Sequence, residues 1–206
     1  MNRTIKLLMF SDIFVITGFG LMAPILAIFI KENLVGGTIF AAGLSSALYL
    51  IIKSLIQLPF SRYVDSHEDK VKWLLLGMIL ISFVPFIYIF STHVNYIYLA
   101  QIIYGVGSGL AYPTWLGLWS THLDKKHESF EWSLYSTFTG LGTAITAVIG
   151  AAIAEFFGFN YTFMLAGVMS IIGGLILIRL NGKEKPISPS IHHYHKRSKL
   201  GPRNGH

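Results

Sequence analysis

The sequence predicts an all-α membrane protein whose six transmembrane helices form two inverted three-helix repeats. Three observations carry that expectation: six long apolar runs, a one-sided distribution of basic residues between them, and a glycine-to-proline pattern that recurs three helices apart. The composition agrees. Of 206 residues, 53% are hydrophobic and 13% charged, against ~25% charged residues in soluble domains. Cysteine is absent, which excludes disulfides, thiolate nucleophiles and cysteine-held metals.

A helix needs ~20 mainly apolar residues to cross ~30 Å of hydrocarbon. Six runs meet that length, at about 7–30, 38–61, 72–91, 95–120, 132–156 and 160–179. The first follows MNRTIKLLMF, which faintly resembles a secretion signal. Asp12 interrupts its apolar core and no small-x-small cleavage site follows, so it reads as a retained span. The second ends in a charged knot, PFSRYVDSHEDKVKW, from Pro59 to Trp73. The third, LLLGMILISFVPFIYIF, is almost wholly hydrocarbon. The fourth, QIIYGVGSGLAYP, mixes glycine, tyrosine and glutamine. The fifth begins after THLDKKHES, where Glu131 in the first turn suits the helix dipole. Only the corner FGFN separates the fifth from the sixth.

With a cytoplasmic N-terminus, fourteen of the sixteen Lys and Arg residues fall on the cytoplasmic side. Lys31 alone lies opposite, and Lys53 sits within a span. By the positive-inside rule this asymmetry requires an even number of crossings, hence both termini cytoplasmic. Residues 1–180 then make one transmembrane domain. Residues 181–206, rich in Pro, Ser, Gly and basic side chains, read as a disordered cytoplasmic tail. Its His192, His193 and His195 sit with Lys196, Arg197 and Lys199, a pattern that suits anionic headgroups better than a metal.

The repeat is visible in two places. Gly18, Gly20 and Pro24 in the first span match Gly105, Gly107 and Pro113 in the fourth. Glycines permit close backbone approach, and Gly105 with Gly109 forms a GxxxG face. A proline frees a carbonyl one turn back and bends its helix.

Ionisable groups within a span are costly and serve by default as functional candidates. Lys53 and Asp12 enter neighbouring spans from the same side, and their depths predict that they meet. Gln57 lies one turn below Lys53. Gln101, Tyr104, Tyr112, Trp115 and Tyr49 are expected to line a cavity. Trp73, Trp119, Trp132, Tyr88, Tyr96 and Tyr98, nearer span ends, are expected to anchor at the interface, with Glu155 at the outer surface.

These stretches together resemble the N-terminal six-helix half of the major facilitator superfamily over residues ~5 to 180. The knot is similar to that family's loop between helices two and three, Gly-x-x-x-Asp-basic-x-Gly-basic-basic. Asp65 takes the aspartate place, Lys70 and Lys72 fall near the basic places, and Arg62 lies just upstream. GFGLMAPILAIFI, QIIYGVGSGLAYP and GAAIAEFFGFNYTF resemble its helix-one, helix-four and helix-five-to-six patterns. Ser61, Ser66 and Glu68 depart from the loop pattern. Gln101 replaces the arginine that the family links to proton coupling, Tyr104 replaces a glutamine, and the helix-five Gly-Pro of drug antiporters is absent.

The resemblance implies secondary-active transport of a small solute by alternating access, with or without a coupling ion. The site would comprise Asp12, Lys53, Gln57, Gln101 and Tyr104, and the loop would act as a latch. The expected setting is a prokaryotic cytoplasmic membrane. The second half of the fold would come from a homodimeric copy or another six-helix chain. A non-transporting scaffold or regulator is the alternative. No Ser/His pair, Gly-x-Ser-x-Gly or HExxH lies in a span, so an enzyme is not expected, nor a cofactor, a metal or a nucleic-acid partner.

Overall fold

The computed structural model describes residues 1–67 and 70–180. Among them the regular structure is helical: α1 (Arg3–Met22), α2 (Leu26–Asn33), α3 (Ile39–Ser66), α4 (Lys70–Ile89), α5 (Val94–His122), α6 (Glu128–Phe157) and α7 (Phe159–Leu177). The tail from residue 181, with its histidines, and Glu68-Asp69 lie outside the described residues.

Among the described residues, five helices are long and apolar enough to cross a membrane: α1, α3, α4, α6 and α7. α5 is not among them, although its 29 residues would reach ~43 Å at ~1.5 Å per residue. Its Gln, Ser, Gly and Tyr residues dilute its hydropathy, and they include the residues singled out above as site candidates.

The two echoing prolines behave differently. Pro24 lies in the break between α1 and α2, where Ile25 N–H turns back to Met22 O at 3.1 Å. Pro113 stays inside a continuous α5. One residue on, the Thr114 hydroxyl donates to Leu110 O at 2.8 Å. Pro59 and Pro85 also lie within helices. α3 runs five residues past its expected end at 61, so Arg62 and Asp65 stand on a helical turn rather than in a loop.

α1 packs on α6 and α7, while α5 packs between α3 and α4. α4 meets α7, and a smaller contact between α1 and α5 joins the two groups. Small residues set these distances. A Cβ on Gly18 would stand 3.1 Å from Ala166 O on α7, and one on Gly20 would stand 2.6 Å from Thr146 Oγ1 on α6. On α5, a Cβ on Gly107 would stand 2.9 Å from Gly77 O of α4, while Gly105 and Gly109 face Ile52 and Ile56 of α3. The Ser11 hydroxyl donates to Gly173 O at 2.8 Å, tying α1 to α7.

Burial is uneven. The most apolar stretches of α1, α4 and α7 are 56%, 44% and 39% buried, but those of α3 and α6 only 17% and 6%. The outward faces of α3 and α6 are thus large and unpartnered. At one end of the bundle, Val35 and His93 form a short bridge, with Val35 N–H on Thr92 O and Val94 N–H on Val35 O, both 3.0 Å. At the other end lie the α3–α4 and α5–α6 turns and the start of α1, and with them Arg3, Lys6, Arg62, Lys70, Lys72, Lys125, Lys126 and Arg179.

Candidate functional site

The central feature is a row of three stacked rings that crosses three helices. Gly105 and Gly109 let α5 lie directly on the backbone of Tyr49 and Lys53 in α3. That approach puts the Tyr104 ring on Tyr49, with centroids 4.2 Å apart and planes at 16°. On its other face Tyr104 stacks on Phe19 of α1, at 4.5 Å and 15°. Offset stacks of this kind add ~0.5–1.5 kcal/mol each beyond their buried area.

Charge lies on both sides of the row. On the α3 side, Lys53 Nζ stands 4.7 Å from the Tyr112 ring centroid and 5.9 Å from that of Tyr49. The ring faces offer the ammonium a cation–π contact, worth ~0.5–1 kcal/mol exposed and ~2 or more when desolvated. Lys53 is half-buried and Tyr112 is 44% exposed, so this side opens outward. On the α1 side, the Tyr135 hydroxyl of α6 donates to Asp12 Oδ2. Tyr135 in turn packs among Trp115, Trp119 and Trp132, with centroids 5.1–6.1 Å away.

Asp12 and Lys53 therefore do not meet, contrary to the expectation from their depths. α1 packs on α6 and α7 while α3 packs on α5, so the helices that carry Asp12 and Lys53 are not close neighbours here. Among the described residues, each of the two charged groups finds aromatic partners, and the ring row lies between them.

The other candidates divide. Tyr104 is the middle of the row. Gln57 is half-buried one turn along α3 from Lys53. Gln101 is buried in the α4–α5 core, where its Nε2 donates to Tyr88 Oη at 3.1 Å. That placement removes Gln101 from the cavity face, because a buried amide needs a partner and Tyr88 supplies it. Tyr88 and Trp119 are buried core residues rather than interface anchors, at 1% and 0% exposure. Tyr96 is half exposed, and Glu155 is exposed near the end of α6.

The knot is built on an aromatic cluster of which the sequence reading singled out only Trp73, as an interface anchor. Tyr63 stacks on His67 at 3.9 Å and meets Trp73 edge-on at 5.7 Å, with Phe60 against both Tyr63 and Trp73. His67 Nδ1 lies 2.8 Å from Tyr63 O, which closes the last turn of α3. Arg62 and Asp65 are exposed on that turn, and Asp65 makes no ion pair among the described residues. Lys72 is exposed, and Lys70 reaches toward Gly117 of α5.

Glu131 is more deeply embedded than a first-turn dipole residue needs to be. It is 2% exposed, with Oε2 accepting from Asp124 N–H at 3.3 Å and Oε1 3.3 Å from the Met1 amino group. In the adjoining turn, the His127 hydrogen bond at 3.0 Å and then the Lys126 N–H hold the Asp124 carboxyl below the usual carboxylate range. Sequence reasoning also missed Tyr135 and Phe19. A signal for Tyr135 existed: Trp115/Trp119 and Trp132/Tyr135 are aromatic pairs at helical spacing on consecutive helices. Among the described residues, no group of three or more His, Asp or Glu is placed to hold a metal.

Comparison with known proteins places this architecture. The chain is 30% identical over 180 residues to Multidrug resistance protein 2 of Bacillus subtilis, across 84% of this chain and 43% of that protein. It is 24% identical over 180 residues to Quinolone resistance protein NorA of Staphylococcus aureus, across 87% of this chain and 45% of that one. The chain thus spans less than half the length of these curated relatives. Among solved structures it shares the fold of the POT family transporter PepTSo, with a TM-score of 0.74 at 16% identity, over 86% of this chain and 37% of the other. An auto-inhibited POT family peptide transporter also matches, at 0.74 and 13%, over 90% and 38%. Residues 8–201 match the sequence profile of the Major Facilitator Superfamily, and the chain belongs to that family of integral, multi-pass membrane proteins.

Proposed function

We propose that this chain is one six-helix wall of a secondary-active transporter that moves a small amphiphilic solute by alternating access. α1 with α2, then α3 to α7, make six crossings as two inverted three-helix repeats, with both termini in the cytoplasm of a bacterial cell. The observation that carries the reading is the juxtaposition of Lys53, the Tyr49–Tyr104–Phe19 row and the Asp12–Tyr135 pair across α1, α3, α5 and α6. A solute with a flat apolar part would lie against the rings, and its polar or charged part would find Asp12 or Lys53.

The opposite wall is a second six-helix unit, such as another copy of this chain. The exposed flanks of α3 and α6 support this: Leu50, Leu55 and Leu58 on one, Leu141, Ile145 and Val148 on the other. Two six-helix units can share orientation about an axis normal to the membrane, as parallel transporter halves do. Rocking one against the other would expose the row to each side in turn. The α3–α4 knot, with Arg62, Asp65, Lys70 and Lys72, would latch the cytoplasmic ends. The printed names of the relatives, multidrug and quinolone resistance, support a solute of drug-like size.

Because the chain has no cysteine, single cysteines test the arrangement cleanly. Leu141→Cys and Leu55→Cys in lipid vesicles should crosslink to a second six-helix unit, whereas Ile79→Cys on α4 should not. Exclusive recovery of uncrosslinked monomer from all three variants contradicts the assembly.

A further inference from the structure

On the side of the bundle away from the ring row, α4 and α7 frame an apolar groove of about 320 Å³. Leu75, Ile79, Phe83 and Phe86 of α4 face Ile171 and Leu175 of α7, with Ser82 and Gly174 between them. A Cβ placed on Gly174 meets nothing within 4 Å, so this glycine leaves space rather than permitting helix contact. The α4 lining runs from residue 75 to 86, ~16 Å at ~1.5 Å per residue. That is about half of the ~30 Å hydrocarbon thickness, the depth of one leaflet.

The groove has a charged mouth. Lys72 is one helical turn before Leu75 on the same stripe, and Arg179 follows Ile178, which lines the groove on the α7 side. Both are exposed. Arg3 and Lys6 lie at the same end, because Leu177 and Leu180 pack with Ile5 and Leu8 of α1. We propose that this groove binds a single anionic phospholipid, one acyl chain lying between α4 and α7 and the headgroup phosphate held by Arg179 at the basic mouth. The pairing of an apolar channel one leaflet deep with a basic mouth selects that occupant. A two-fold copy of this chain would instead set Arg179 against its own like charge.

The test uses the whole chain in vesicles of equal parts phosphatidylcholine and phosphatidylglycerol, released without detergent for native mass spectrometry. The expected result is one retained phosphatidylglycerol per chain, preferred over phosphatidylcholine. Arg179→Gln should lower the preference about fivefold, equivalent to the ~1 kcal/mol that one basic residue contributes near an anionic surface. Gly174→Leu fills the groove and should abolish retention of both lipids with an unchanged melting temperature. Arg179 is exposed, so its variant reports on the headgroup contact even if Gly174→Leu perturbs packing. Equal retention of the two lipids by the unmodified chain overturns the proposal. So does an undiminished preference in Arg179→Gln, or a dimer crosslinked through Phe83→Cys.

Discussion

Replacing Gly105 by alanine adds one methyl group at the closest approach of α5 to α3. The new carbon would stand 2.8 Å from Ile52 Cβ, 2.9 Å from Ile52 Cγ2 and 2.9 Å from Tyr49 O. Comfortable carbon–carbon contact is ~3.5–4.0 Å, so α3 must withdraw by roughly 0.7 Å or more. None of the opposing atoms is the free end of a flexible side chain. Overpacking of this kind costs ~1–3 kcal/mol, of which the helix propensity gained on replacing glycine returns up to ~1. The net destabilisation is up to ~2 kcal/mol, or a drop of up to ~8 °C on the scale of globular chains this long. The same withdrawal opens the Tyr49–Tyr104 stack, and a gap of ~0.5–1 Å forfeits about a quarter to a half of the attraction across it. Thermal unfolding in lipid followed by tryptophan fluorescence reads the first effect, and solute transport reads the second. Gly174→Ala, with open space around it, is the matched control and should behave as the unmodified chain. A Gly105→Ala protein as stable and as active as that control refutes the close-packing account of the site.

Other expectations follow from the same geometry. Tyr135→Phe removes the hydrogen bond to Asp12 and should lower stability by ~1–3 kcal/mol, as for any buried acceptor left unsatisfied; an unchanged melting temperature would mean that water replaces the hydroxyl. Asp65→Asn, on an exposed turn, should slow the conformational cycle or weaken assembly while leaving solute affinity intact; unchanged transport would reduce the knot to a topological signal. Asp124, whose folded carboxyl titrates below its usual range, stabilises the α5–α6 turn at and above pH ~3.9 and loses that contribution as pH falls through its depressed value. Hydrogen-exchange protection at Lys126 and His127 should therefore be retained from neutral pH down to the carboxylate range, and protection already lost well above that range would contradict the role given to Asp124.

Apolar run length predicted where long helices lie, because the bilayer leaves backbone groups no alternative partner. It did not predict where helices end. α3 carries on through Arg62 and Asp65 since its last turn is closed by Tyr63, Ser66 and His67, not by hydropathy. Proline was equally ambiguous: Pro24 breaks its helix while Pro113 does not, and local sequence carries no information about which neighbours satisfy the freed carbonyl. The charged candidates were legible as anomalies, but their partners were not. Tyr135 is 123 residues from Asp12, and only the packing of α6 on α1 brings them together. Reasoning from sequential neighbours paired Asp12 with Lys53 instead. Gln101 and Tyr88, both polar and near a span, were placed on the wrong surfaces because each satisfies the other inside the core.

On the proposed function, the face bearing Lys53, Tyr104 and Asp12 lines a water-accessible path, while the α4–α7 face meets lipid. Tyr112→Cys and Phe83→Cys, at positions 44% and 59% exposed, separate the two faces directly. In sealed vesicles a membrane-impermeant maleimide should label the cysteine at position 112 and leave the one at position 83 untouched. Equal protection of both sites, or labelling of position 83 alone, would contradict the account.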